Sequence, residues 1–341
     1  MACPFSSTEL TIVYRLEDAM DRSETSPVLV RVQGTCGVLT LNAPSSLNAL
    51  SLKMVQSLGQ QLRIWQNDRS IENVVIMSSG GKAFSAGADV RAMWKHAVAQ
   101  DYGTIDNYFE QEYALDLLLA TFPKPCISLV NGICFGGGMA VSVHSRYCVT
   151  TGSARFSMPE TLIGFFPDAG ASWFLPRLAG SIGMYLGLTG AQLTGGDAVR
   201  LGLASHYVPE AEFADCLEAI CRDGIAAADA LSMEPPPLSF ASSLAEIDAC
   251  FGASGLSAIE QSLRDDGGDW ATAVLRTLRD RSPASLAWTF DMLSRPGDQT
   301  LQQKLRQELE MVAVSTRHPD FREGVRATLI DKDRTPRWRR Y

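Results

Sequence analysis

No apolar run in this 341-residue chain approaches the roughly 20 residues that a membrane-crossing helix requires, so a spanning protein is not expected. Cysteine is sparse: eight are scattered at positions 3, 36, 126, 134, 148, 216, 221 and 250, with no Cys-x-x-Cys pair and none of the density of a secreted disulfide scaffold. An intracellular, reducing compartment is expected. Positive charge is outnumbered, with 30 Lys and Arg against 38 Asp and Glu, and the net charge of -8 argues against nonspecific binding to nucleic acid or an anionic membrane. The four histidines, His96, His144, His206 and His318, show no His-Glu-x-x-His or comparable ligand spacing, so no metal is expected. The start of the chain has no basic segment followed by an apolar one, which speaks against a secretory signal. Arg15 and Arg22 with several Ser and Thr would suit an organellar transit peptide, but Glu9, Glu17, Asp18, Asp21 and Glu24 spoil its acid-poor pattern. There is no repeat of fixed period and no long low-complexity tract. A composition of 46% hydrophobic and 20% charged residues is that of an ordinary enzyme-sized protein with ample chain for a core.

From Val28 onward, short apolar runs alternate with helical patterns. Residues 28–32 and 38–41, separated by Gly34 and Gly37, read as a hairpin. Leu52, Val55, Leu58, Leu62 and Trp65 recur at three- and four-residue spacing and predict an amphipathic helix capped by Ser51. Residues 73–77 and 126–130 read as buried strands, each followed by glycine and then a helix-compatible segment. Such β-then-α crossovers predict an α/β protein rather than a sandwich. After Pro235-Pro236-Pro237 the strand signal fades and amphipathic helices take over, with Leu301, Leu305, Leu309 and Val312 on one stripe. The expected organisation is an N-terminal extension over 1–27, an α/β core over 28–235 and a helical region over 236–341.

Three constellations could carry chemistry. The first, Gly80-Gly81-Lys82-Ala83-Phe84-Ser85-Ala86-Gly87-Ala88-Asp89-Val90, lies between a strand and a helix. Its small residues would let a ligand approach the backbone, and N–H groups at a helix start favour negative charge, although a tight turn needs the same residues. It fails the Walker A spacing at Ile76 and Ala83. The second, Asn131-Gly132-Ile133-Cys134-Phe135-Gly136-Gly137-Gly138-Met139-Ala140, precedes a helical stretch expected over 140–145 and is not the Gly-x-Gly-x-x-Gly of a dinucleotide fold. Close strand-on-helix packing and exposed backbone donors are the two readings of its glycines. Two such loops, each offering one N–H to the same oxygen, would form an oxyanion site. The third places Glu160, after Met158-Pro159, eight residues before Asp168 in an apolar setting with Gly164, Pro167 and Gly170. Burial there would raise a carboxyl pKa toward neutrality, whereas a cap or an ion-pair partner is the plainer alternative.

In this order, Asn48-Ala49-Leu50, Ala83 to Asp89, Asn131-Gly132 to Gly138, Pro159-Glu160 and Gly202-Leu203-Ala204 resemble the enoyl-CoA hydratase/isomerase, or crotonase, superfamily over residues 28–235. The resemblance implies a crotonase-like spiral core of repeated ββα turns with a helical C-terminal region. It also implies two backbone donors for an acyl-CoA thioester carbonyl, Ala88 and Gly137, with substrate contacts around Ala86, Asp89 and Val90. The hydratases use two glutamates, and the place of the first is taken here by Ala140, whose methyl group cannot relay protons.

That departure, together with Ser142 to His144, Phe166-Pro167-Asp168 and Phe174-Leu175-Pro176-Arg177-Leu178, resembles the 3-hydroxyisobutyryl-CoA hydrolases. The tail, with Asp320-Phe321, Glu323-Gly324-Val325-Arg326-Ala327 and Leu329-Ile330-Asp331-Lys332-Asp333, is similar to that subfamily's C-terminal extension. Gly87-Ala88-Asp89 departs from the subfamily's usual Gly-Gly-Asp, keeping the N–H while altering the pocket. The resemblance implies hydrolysis of 3-hydroxyisobutyryl-CoA or a related β-hydroxyacyl-CoA, as in valine degradation, by Glu160 as nucleophile or as base toward water. Asp168 would contact the 3-hydroxyl or the water. Glu112 would be a substrate-side carboxylate or a solvated helical charge, and His144 a packed or capping residue. CoA is part of the substrate and no cofactor is implied. A hydratase or isomerase of the same superfamily, and a catalytically silent CoA-binding protein, are the competing expectations. Trimers or pairs of trimers are common in the superfamily, so a homo-oligomer fits, unless the extension covers that surface. The compartment implied is the mitochondrial matrix in a eukaryote and the cytoplasm otherwise.

Overall fold

The computed structural model describes residues 26–295 and 298–339, so Cys3 and all but the last two residues of the expected N-terminal extension lie outside the described residues. The strands are β1 (Val28–Gln33), β2 (Cys36–Leu41), β3 (Asn73–Ser78), β4 (Ala83–Ser85), β5 (Cys126–Val130), β6 (Ile133–Phe135), β7 (Tyr147–Thr150), β8 (Arg155–Ser157), β9 (Leu193–Thr194) and β10 (His206–Tyr207). β1 and β2 form the expected antiparallel hairpin. From β2 onward the larger sheet is parallel, in the order β1-β2-β3-β5-β7-β10. Its middle strands are near-continuous apolar runs because both faces are covered. Leu39 and Ile76 face one buried cluster, while Val38, Val75, Ile127 and Val149 face a second, closed by Cys216 and Ile220 of the helix Phe213–Asp223.

The smaller sheet places the chemistry. β4, β6 and β8 run parallel and adjacent, so the chain leaves all three at the same edge. Each belongs to one repeating turn. β3 and β4 lead to α2 (Val90–Val98) and α3 (Tyr102–Ala120), β5 and β6 lead to α4 (Gly137–His144), and β7 and β8 lead to the 3₁₀ turn Glu160–Ile163; the earlier helix α1 (Leu52–Asn67) follows the hairpin. Its expected cap is present, with Ser51 Oγ accepting from the Met54 N–H at 3.2 Å.

Two local expectations differ. The segments after β3 and β5 are not simple glycine turns, because three-residue strands intervene before the helices. α4 begins at Gly137 rather than Ala140, placing two glycines in its first turn. Low helix propensity is overridden there by packing: Gly137, Gly138, Met139 and Ala140 are all buried.

Helices dominate residues 241–330 where described, with Leu244–Phe251, Leu256–Asp266, Asp269–Arg279, Pro283–Ser294, Leu301–Ser315 and Pro319–Val325 as the main elements, while 236–240 and 331–339 are irregular. Leu293, Leu301, Leu305, Val312, Phe321 and Val325 belong to the same buried cluster as Leu39, Phe84 and Cys134. The stripe on Leu301–Ser315 also buries Lys304 and Glu308, while Leu309 is only partly covered. Among the described residues no helix is long and apolar enough to cross a membrane. The seven described cysteines are buried and unbridged.

Candidate active site

The segment after β4 is tied to residue 50 by a parallel bridge between Leu50 and Ala88. The bridge uses Leu50 N–H to Gly87 O at 2.8 Å and Asp89 N–H to Leu50 O at 3.2 Å, which turns the N–H of Ala88 itself away from residue 50. The neighbouring donors are engaged too: Ala86 N–H with Leu47 O at 2.9 Å, Gly87 N–H with Ser85 Oγ at 3.1 Å and Val90 N–H with Ala88 O at 2.7 Å. Within 86–90, Ala88 alone keeps an N–H without an acceptor among the described residues. Gly137 opens α4, where the first N–H groups have no partner inside the helix. The two loops touch. A Cβ on Gly87, whose φ is +89°, would lie 2.9 Å from Phe135 O and 3.3 Å from Gly137 N, so only glycine lets the loops approach this closely.

Two carboxyls flank the Gly136-Gly137 peptide. Glu160, first residue of its 3₁₀ turn, arrives from β8, and a Cβ on Gly136 would lie 2.8 Å from its Oε1. Glu112 arrives from α3, and a Cβ on Gly137 would collide with its Oε1. Both side chains are buried, and each has an Oε2 without a hydrogen-bond partner. Burial holds both well above the ordinary carboxylate range, and the nearby Asp168 charge pushes the same way. The solvated reading of Glu112 is therefore overturned: α3 presents Ile105, Tyr108, Phe109, Glu112, Tyr113 and Asp116 on one buried face. Tyr108 Oη donates to Leu50 O at 2.7 Å and lies 3.3 Å from Glu112 Oε1.

Asp168 is buried as well, with Tyr113 Oη donating to its Oδ2 at 2.7 Å, and burial pushes its pKa up to about 8. Two further carboxyls escape the sequence reading. Asp116 is fully buried with neither oxygen partnered, and burial, then Glu112 and Asp168, drive its pKa up. Glu308 reaches in from the helix Leu301–Ser315. In both cases the sequence signal was an acidic residue at the apolar period of an amphipathic helix, four residues after Glu112 and three after Leu305.

Asp89 is engaged structurally, its Oδ1 accepting the Ala92 N–H at 3.1 Å as the cap of α2. His144 is a packed residue. Its Nε2 donates to Ala169 O at 2.9 Å, and burial lowers its pKa to about 4, so the ring is neutral. Ala140 is completely buried and brings no polar group to the place of a second glutamate. Among the described residues no three His, Cys, Asp or Glu side chains form a group that could hold a metal ion. The arrangement offers two amide donors from touching loops, with a buried carboxyl on either side.

A family model described as enoyl-CoA hydratase/isomerase matches residues 36–341. Among curated proteins, the mitochondrial 3-hydroxyisobutyryl-CoA hydrolase of Gallus gallus is 37% identical, the match covering 98% of this chain and 90% of that protein. The human protein of the same name is 35% identical over 96% of this chain and 88% of its own length. Among solved structures, an enoyl-CoA hydratase from Rhodobacter sphaeroides 2.4.1 superposes with a TM-score of 0.88 at 37% identity, covering 92% of this chain and 93% of the other. A carnitinyl-CoA dehydratase from Mycobacterium thermoresistibile also gives 0.88, at 35% identity and 92% and 91% coverage.

Proposed function

The chain belongs to the enoyl-CoA hydratase/isomerase family, and from that premise we propose that it hydrolyses the thioester of 3-hydroxyisobutyryl-CoA, or of a related β-hydroxyacyl-CoA, to the free acid and CoA. The observation that carries the reading is the buried Glu160 carboxyl beside the Gly136-Gly137 peptide with alanine, rather than a second glutamate, at position 140; the other carboxyl at that peptide, Glu112, arrives from α3 on the opposite side. Addition of water across a double bond by two glutamates lacks one member here; thioester cleavage needs only one group to attack or to activate water.

In this reading the thioester oxygen accepts from the Ala88 and Gly137 N–H groups, which stabilise the tetrahedral oxyanion; loss of one such donor commonly costs about 3 to 4 kcal/mol. The Glu160 carboxylate attacks the carbonyl carbon, expelling CoA thiolate and leaving a mixed anhydride that water opens, or it takes a proton from a water that attacks directly. Asp168 contacts the 3-hydroxyl or holds that water, and Glu112 bounds the acyl side. Ala86, Asp89 and Val90 contribute through carbonyls and surface, since their N–H groups are already bonded within the protein. The chemistry requires no cofactor. The same reading places the enzyme in valine breakdown, in the mitochondrial matrix of a eukaryote or the cytoplasm of a bacterium, and accommodates a homo-oligomer.

The test is free thiol released from 3-hydroxyisobutyryl-CoA by the purified chain. Glu160→Gln should abolish release while leaving CoA binding intact, and near-normal turnover by that variant would reject the assigned role. Double-bond hydration without thiol release would favour a hydratase, and binding without turnover a silent CoA-binding protein.

A further inference from the structure

We infer that Glu308, from the C-terminal helical region, is a positioning residue that fixes the loop carrying Asp168 in its working conformation. The inference rests on the part proposed above for Asp168 in hydrolysis. The loop 168–170 is not one a free chain would hold: Ala169 has φ +53° and Gly170 φ +87°, two successive residues in the left-handed region. From a distant segment Glu308 directs every bond it makes to the end of this loop and the helical turn Ala171–Phe174 that follows it. Its Oε2 accepts the Gly170 N–H at 2.7 Å, and its Oε1 accepts the Ser172 N–H at 3.0 Å and the Ser172 Oγ–H at 2.5 Å. On the other side His144 donates to Ala169 O, and a Cβ on Gly170 would lie 2.6 Å from His144 Nε2 and 3.0 Å from Leu301 Cδ1. The loop is thus pinched between α4 and the helix Leu301–Ser315. Asp168 emerges from it toward Tyr113.

A carboxylate with no exposed surface is costly unless donors surround it, and the donors here are Gly170 at the end of this loop and Ser172 in the helical turn Ala171–Phe174 that follows it directly. The titratable groups facing Glu308 are Lys304 on its own helix, Asp168 on the loop, and Tyr113 and Asp116 on α3, both of which burial holds toward the neutral form, while the neighbouring His144 is neutral. Burial holds Glu308 up at about 7 even against its three donors and Lys304, which favour the charged form. Its negative charge in turn raises the pKa of Asp168. Glu308 therefore acts on Asp168 twice, through the shape of the loop and through its field. Glu308→Gln keeps the volume but sets an amide N–H against one of the loop's donors and removes the charge.

The experiment compares the full-length chain with Glu308→Gln, Ser172→Ala and Asp168→Asn. It measures thiol release from 3-hydroxyisobutyryl-CoA across pH, binding of a non-hydrolysable thioether analogue, and thermal melting. Glu308→Gln should lower kcat about 100-fold, the scale on which a small misplacement acts, with KM and analogue binding little changed. The acid limb of its residual activity should move to lower pH, because Asp168 loses a like-charged neighbour. Ser172→Ala, which removes one donor of three, should lose about tenfold in kcat and keep the wild-type pH profile. Wild-type kcat in Glu308→Gln, or a loss that follows the unfolded fraction with an unmoved pH limb, overturns the inference. If Glu308→Gln does not fold, an unchanged kcat in Ser172→Ala does so. Wild-type turnover in Asp168→Asn would instead overturn the role of Asp168, whereas an impaired Asp168→Asn beside a normal Glu308→Gln would overturn only the positioning role.

Discussion

Asp168 binds its proton more tightly in the folded protein than a solvated aspartate does, because burial opposes ionisation more than the Tyr113 hydroxyl favours it. Between the ordinary value of 3.8 and the folded value of about 8 the native state keeps a proton that the unfolded chain has lost. The stabilisation from this group is therefore fully present below the unfolded pKa and is lost as pH rises through about 8. Asp168→Asn, which cannot ionise but can still accept from Tyr113, should melt at a higher temperature than the native chain. The gap should widen from mildly acid to mildly alkaline pH, as read by circular dichroism melts in a buffer series; a gap constant with pH would contradict the argument. At this scale the residues alone marked the two glycine-rich loops and a carboxyl in an apolar, proline-rich turn as candidates, and the family resemblance singled out Ala88, Gly137 and Glu160 within them. Asp116 and Glu308 were not, since an acid on a helix reads as its solvated face until the neighbouring elements show that the face is inward.

At the scale of elements, the turn holding Glu160 is backed by backbone rather than by side chains. A Cβ on Gly324 would lie 2.6 Å from Ile163 O and closer still to its carbonyl carbon, and one on Gly164 would collide with Asp320 O. The helix Pro319–Val325 therefore lies directly against Glu160–Ile163, with Phe321 against Phe165 at 5.8 Å between ring centroids. Gly324→Ala must push the helix away from that turn. It should cost about 1 to 3 kcal/mol of stability, as overpacking does, and should lower kcat more than it raises KM. Urea titration and thiol-release kinetics would check both halves. The hairpin, α1 and the two long buried strands were readable from periodicity, which needs several residues to register. β4, β6 and β8 have three residues each and leave no periodic trace, although they bring the candidate-site loops side by side.

For the whole molecule, the change in character after the triple proline marks a change of secondary structure but not an end to the core. Leu301, Leu305, Val312, Phe321 and Val325 complete the cluster that contains Leu39 and Phe84. A chain cut at residue 235 would expose that apolar surface and lose the Glu308 and Asp320 contacts, so it should show no cooperative melting transition; a sharp one would mean that the first 235 residues fold alone. Amphipathic periodicity foretold the helices of this region, but which face meets which neighbour depends on contacts more than a hundred residues apart in sequence, beyond the reach of any local pattern. Because the backbone of Asp320 props the turn at Gly164, translation order matters. Ribosomes adding roughly 5 to 20 residues per second leave an interval on the order of ten to thirty seconds between the emergence of these partners. Through that interval the nascent polypeptide carries Glu160 on an unsupported turn, so the proposed site is not assembled until synthesis is nearly finished.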